Sequence, residues 1–486
     1  MAAARLRGVL LAGLALGGLA AGGTARADDL RGALVAAYQT NPTLESARAN
    51  QRANDENVPI QRAAGLPSVS GTGTYTEFVK SSASSSVAPD RSLNANLSLA
   101  VPVYSGGAVR NGIRAAKTRV EAGQADLRGT ESAVFSQVVA AYMDVILNEA
   151  LVSLNRNNVE VLDVNLQATR DRFEIGDLTR TDVAQSQARL ALARSDARTA
   201  EANLASARER YIQLVGMPPV ALEPPPPLPN LPASAPEAVA VALENNPDLI
   251  AARERSKATE YDINVAGSGR LPRIEVVTGG AYSDFLGSLS GAGLPAGSLR
   301  QSETSAQVGL RASIPIFQGG RPAAQRRQAQ AFAGATLENE IAVERDVIAQ
   351  ARSAFTSWVA ANELITSNQV AVDAATLSLE GVRAENSVGN RTILDILDAE
   401  QELLTAQVRL ATARRNAYVA GFTLLAAMGK AEARDLGLDG GPLYDPDVNY
   451  RRVRGKWFDW DNDPDPKVRS TRTVDTPVQD GSIRGR

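Results

Sequence analysis

There is no cysteine and no histidine in these 486 residues. Disulfides, thiol nucleophiles, histidine general bases and the usual zinc ligands are therefore excluded together. The cysteine that would carry a lipid just after a bacterial leader is missing as well. A hydrolase built from Asp, Glu, Ser or Lys alone is the enzymatic option these absences leave. Aromatic residues make up only 5% of the chain, too few for large aromatic-filled cores. The formal net charge of −3 comes with no basic stripe, so no nucleic-acid partner is expected. Beyond the first residues no run of some 20 apolar side chains stands out, and no membrane-crossing helix is expected.

What is present is alanine, polar residues and a leader. Arg5 and Arg7 precede an apolar stretch from Val9 to Ala20, and Ala25-Arg26-Ala27 supplies a cleavage signal. Residues 1–27 read as a secretory signal peptide, placing the mature chain outside the inner membrane. The rest reads as two copies of one unit. Asn41-Pro42 returns as Asn246-Pro247, and Leu66-Pro67 as Leu271-Pro272, both at a spacing of 205 residues. The spacing then becomes 213: Val101-Pro102-Val103-Tyr104-Ser105-Gly106-Gly107 matches Ile314-Pro315-Ile316-Phe317-Gln318-Gly319-Gly320. Asp182 on Asp395 and Gly216 on Gly429 hold the new register. The units are 28–217 and 237–430, joined by a proline-rich linker, 218–236, and followed by a tail, 431–486.

Each unit carries two candidate strands and two long helices. Leu93, Ala95, Leu97, Leu99, Val101 and Val103 alternate with polar residues, as do Ala306, Val308, Leu310, Ala312, Ile314 and Ile316. Their partners are Ser68 to Phe78 and Arg273 to Phe285. At about 3.3 Å per residue such strands reach some 35 Å, enough to cross a bilayer when tilted. Alternation alone leaves a soluble sheet with one wet face equally open. Four strands cannot close a useful barrel, so in a membrane several chains would have to share one. Pro102 and Pro315 are expected to end the ladders, and Gly106, Gly107, Gly319 and Gly320 to turn the chain into its helices. Those helices, 108–173 and 322–388, would each extend roughly 100 Å and need lateral partners throughout. Val347, Ala351, Ala354, Phe355, Trp358 and Ile365 give the second a coiled-coil stripe. Turns at Gly176 and Gly389 lead into return helices 179–215 and 392–428. The tail is expected to be partly ordered and then disordered. Its Trp457, Phe458 and Trp460 are expected to pack onto the helical body, with carbohydrate or peptide binding as the alternative.

Taken together, the duplicated strand pair, the two P-x-aromatic-x-G-G turns and Ser387-Val388-Gly389-Asn390-Arg391-Thr392-Ile393-Leu394-Asp395-Ile396-Leu397-Asp398 resemble the TolC family of outer-membrane efflux and type I secretion proteins. The resemblance covers about residues 28–430. It implies a mainly α chain with a transmembrane β portion, in a homotrimer. Four strands per chain would share a twelve-stranded outer-membrane barrel continuous with a periplasmic α-barrel. It also implies outer-membrane lipid, a periplasmic adaptor and an inner-membrane pump as partners, with no cofactor and no catalysis. Asp395 and Asp398 would line the periplasmic entrance, where a ring of six carboxylates would raise the pKa of some members and attract cations. From the residues alone, they read as solvated helix-start acids. Arg391 would latch onto Thr181 and Asp182. Asn386 stands where some family members carry a supporting tyrosine, and Gln185 is the counterpart of Asp398. A soluble periplasmic coiled-coil scaffold or adaptor is the competing reading.

Overall fold

The computed structural model describes residues 29–80, 87–291, 295, 297–438 and 443–483; the leader lies outside them. Three short helices come first: α1 (Leu30–Thr40), α2 (Pro42–Asp55) and α3 (Asn57–Ala63). Then come β1 (Ser68–Glu77), β2 (Val87–Ala88), β3 (Arg91–Tyr104), α4 (Ala108–Glu174) and α5 (Arg180–Val215). The second copy follows as α6 (Ala235–Asn245), α7 (Pro247–Gly267), β4 (Arg273–Asp284), β5 (Ser290–Gly291), β6 (Ser302–Ser313), α8 (Arg321–Ser387) and α9 (Ile393–Ala427). Helix α10 (Pro446–Val453) belongs to the tail.

The same local chemistry builds both copies. Asn41 and Asn246 cap α2 and α7 with their side-chain oxygens, and Pro42 and Pro247 occupy the first helical position. The same asparagines donate Nδ2 to the end of the return helix, Asn41 to Leu214 O at 2.9 Å and Asn246 to Ala427 O at 3.0 Å. One residue type thus starts a helix and ties it to the end of another. At Gly106-Gly107 and Gly319-Gly320 φ is positive, between 60° and 84°, a region costly for other residues. There the strand turns directly into a helix of 67 residues, about 100 Å long.

The main sheet is antiparallel in the order β1-β3-β4-β6, so β1 and β6 are open edges. Its register places Val69 beside Leu99, Thr278 and Val308, and Val101 beside Val276 and Leu310. The opposite face carries Ser70, Ser98 and Gln307, and an Arg311–Glu275 ion pair at 2.9 Å. The apolar face is uncovered: Leu97 is 61% exposed and Val308 78%. A sheet in water would turn that face to a core. This one turns it outward, as lipid demands.

Two strand ends differ from expectation. Pro102 does not end its ladder; β3 continues to Tyr104, with Pro102 opposite Glu275 and a register shift before Tyr104. Past Ala100 the β1 side of β3 is already vacant, and a missing N–H is tolerated at such a place. In the second copy β6 stops at Ser313, before Ile314, because β4 begins at Arg273 and offers no further partner.

The largest core lies midway down the helices, where α1, α4, α5 and α9 meet around Phe135, Val138, Tyr142, Leu204, Tyr211 and Phe422. Its demand for apolar residues gives α4 a stretch that matches a membrane-crossing helix in length and hydropathy, contrary to expectation. Packing accounts for it: Val134, Val139, Met143 and Val145 are buried there against neighbouring helices. The proline-rich linker crosses this level, accepting hydrogen bonds from Tyr142 Oη at Glu223 O (2.7 Å) and from Tyr418 Oη at Pro226 O (3.2 Å). The tail carries defined contacts as far as Ser482. Arg208, almost wholly buried, donates to Asp480 O and Ser482 O and pairs with Glu149 at 2.8 Å.

Candidate gate at the hairpin tips

The two helical hairpins end in matching turns. Gly176 and Gly389 adopt φ of 83° and 82°, and the following amides donate back to Arg172 O and Glu385 O at 2.9 Å. The return helices then open with capping boxes. Asp182 accepts from Thr179 N at 2.8 Å and from Thr179 Oγ1 at 2.7 Å. Asp395 does the same with Thr392 at the same distances. Those hydrogen bonds hold both carboxyls below the usual aspartate range. Within the chain the direction is opposite to what crowding of like charges would give, since Asp395 is solvated and satisfied by its own helix start.

Arg391 sits at the second tip with Nε 2.7 Å from Glu385 Oε2 and Nη1 3.9 Å from Asp395 Oδ1. The Glu385 hydrogen bond, and then the two carboxylate charges, raise its pKa. Among the described residues it reaches neither Thr181, which is exposed on the first turn of α5, nor Asp182. Asn386 donates Nδ2 to Arg391 O at 2.7 Å and so braces the tip loop from inside.

Asp398 has a partner that the sequence reading missed. Arg189 of α5 donates Nη2 to Asp398 Oδ1 at 2.6 Å, joining the two hairpins. Beside it Leu397 is buried among Leu162, Leu166, Leu190 and Ala193 of the first hairpin, while Ile396 packs on Leu379 of its own. Helix α9 therefore bridges the hairpins through consecutive residues. One signal could have found Arg189: it lies seven residues after Asp182, on the α5 face that also carries Gln185. Higher up, Arg415 of α9 pairs with Asp144 of α4 at 2.8 Å.

The outer membrane efflux protein family matches residues 33–217 and 238–430. The chain belongs to that family. It is 34% identical over 437 residues to the outer membrane efflux protein BepC of Brucella suis biovar 1 (strain 1330), covering 89% of this chain and 92% of that protein. The outer membrane protein TolC of Escherichia coli (strain K12) is 28% identical, with 85% and 84% covered. The alkaline protease secretion protein AprF of Pseudomonas aeruginosa is 25% identical, with 83% and 84% covered. Among solved structures, the Campylobacter jejuni CmeC outer membrane channel shares the fold with a TM-score of 0.73 at 16% identity, covering 88% of this chain and 89% of that one. Membership places this member of the outer membrane efflux proteins in the outer membrane, with its helices extending into the periplasm, and removes the soluble scaffold reading.

Proposed function

We propose that three copies of this chain form one passive export duct, β6 of each pairing with β1 of the next to close a twelve-stranded barrel. The observation that carries the proposal is the four-stranded sheet with an exposed apolar face and two open edges. Backbone groups at such edges cannot stay unpaired in lipid. The units 28–217 and 237–430 each supply two strands and one hairpin, so the helices of three chains continue the barrel as a tube. Substrates pass through without bond making or breaking. Like the efflux and protease-secretion relatives, the duct receives them from an inner-membrane pump through a periplasmic adaptor. The pump and adaptor decide whether the cargo is a small toxic compound or a protein.

The tip is the gate. In the closed duct Arg189–Asp398 ties the two hairpins within each chain. Arg391 exchanges Glu385 for Thr181 and Asp182, and Asp395 and Asp398 line the entrance. Each exposed ion pair contributes only about 0–1 kcal/mol, so three sets bias the gate by a few kcal/mol, within reach of adaptor contacts. Single-channel recording in planar bilayers tests this. Arg391→Ser and Arg189→Ala are each expected to raise conductance, and Asp395→Ala with Asp398→Ala to lower cation selectivity. Unchanged conductance in both arginine variants would remove the tip from the gating role. Recovery of the native protein wholly in the soluble periplasmic fraction would contradict the duct itself.

A further inference from the structure

Helix α4 serves as a ruler below the membrane, because it starts at Ala108, directly after the strand-to-helix turn. Gly65 lies against Val109, Gln61 against Gly112, and Val58 against Ala116 and Val120. The tail climbs the same ruler. Asp447 accepts from Gln124 at 2.8 Å, Tyr450 packs at the level of Ala116 and Val120, and Arg454 O accepts from Arg62 at 3.2 Å. From residue 447 to 454 the chain therefore climbs about 10 Å along α10, at 1.5 Å per residue, past the level of Ala116 and toward Arg62. Three residues later come Trp457, Phe458 and Trp460, which are 75%, 61% and 80% exposed. The expectation that they pack onto the helical body is not met.

These rings are held in place. Lys456 pairs with Asp461 at 3.0 Å, and Arg452 pairs with Asp463 at 2.6 Å, closing the aromatic segment into a loop. Trp457 and Phe458 meet edge to face with centroids 6.3 Å apart. A braced loop with three solvent-facing rings is costly in water unless something apolar meets it. It follows the end of α10 that lies toward the Pro102–Gly107 turn, where the apolar sheet face ends and the periplasmic helices begin. Aromatic rings with a polar edge favour that depth, the headgroup level of a bilayer.

We infer that Trp457, Phe458 and Trp460 form a lipid-facing anchor, seated in the headgroup region of the inner leaflet of the outer membrane and holding the tail against the foot of the barrel. The inference rests on the membrane-spanning reading of the sheet. The test uses the full-length protein in phosphatidylcholine vesicles. The chain has three tryptophans, Trp358, Trp457 and Trp460, so Trp358→Phe leaves only the two of the anchor as reporters. Lipid brominated near the headgroup end of its acyl chains is expected to cut their emission about twofold relative to unbrominated lipid. As a control, Val69→Trp in a chain without the other tryptophans reports the sheet. Quenching at Val69→Trp without quenching at Trp457 and Trp460 overturns the anchor and leaves the barrel standing. In that case blue-shifted emission would assign the rings to a neighbouring chain, and red-shifted emission to water. Absence of quenching at both sites would overturn the anchor together with the spanning sheet.

Discussion

Helices α4 and α8 have the same length, 67 residues, and equivalent places in the two copies, yet they are covered very differently. Helix α4 buries 21 residues, α8 only 7. The first is wrapped by α1, α2, α3, α5, α7 and α9, whereas the second leans mainly on α6, α7 and α9. Val370 and Leu377, seven residues apart on one face of α8, are 63% and 71% exposed. The strands repeat the contrast, since β3 lies inside the sheet and β6 at its edge. The two copies share a folding plan and differ in which side the single chain leaves unfinished. In the duct proposed above, that side is the one that meets the next chain.

The largest effect should come from spoiling the unfinished side. Val370→Asp with Leu377→Asp removes apolar burial of about 1.5–3 kcal/mol per side chain at each of three interfaces. The variant is expected to run as a monomer by light scattering in detergent, and the native protein, as the proposed duct, as a trimer. A trimer of unchanged stability would show that this face of α8 is not an interface.

The finished side should break differently. Phe135→Ala, in the wholly buried core, is expected to cost about 3–5 kcal/mol of chain stability. Its counterpart in α8, Ile348, is half-buried, and Ile348→Ala should cost less than about half as much in thermal or denaturant unfolding of the monomeric double-aspartate variant. Equal losses would erase the contrast between the helices.

The smallest effect lies at the tips, where the copies agree. Thr392→Ala, like Thr179→Ala, should cost about 1 kcal/mol of local helix stability. Asp182 and Asp395 have depressed pKa values in the folded chain. Their capping is therefore complete above the ordinary aspartate value of 3.8 and is lost as pH falls below it. Amide exchange at the starts of α5 and α9, corrected for its intrinsic pH dependence, should accelerate in that window in the native protein. In the double threonine variant the acceleration should shrink.

Much of this fold is legible in the sequence because it rests on local chemistry. Asn-Pro starts, glycine pairs, capping boxes and alternating strands each announce themselves within a few residues. The site is legible in part: Gly389, Arg391 and Asp395 fall at the tip because a turn and a cap fix them. Arg189–Asp398 was hidden because its partners are 209 residues apart and meet only through the way one hairpin leans on the other. The course of β3 past Pro102 was hidden too, since a proline's cost depends on which neighbouring strand is still present. The path of the tail depends on buried polar anchors such as Arg208 and Asn449, which composition does not reveal.

The shared barrel can be tested through its edges. Within one chain β1 and β6 are separated by two strands, so cysteines placed in them are about 14 Å apart and cannot join. The natural chain has no cysteine to interfere. Thr72→Cys in β1, combined in turn with single cysteines along β6 from Ser302 to Ser313, can cross-link only between chains. At one register or a few neighbouring ones, oxidation in membranes should give a covalent ladder that stops at three chains. Only monomers throughout the series, from protein shown to be in the outer membrane, would contradict a barrel built by three copies.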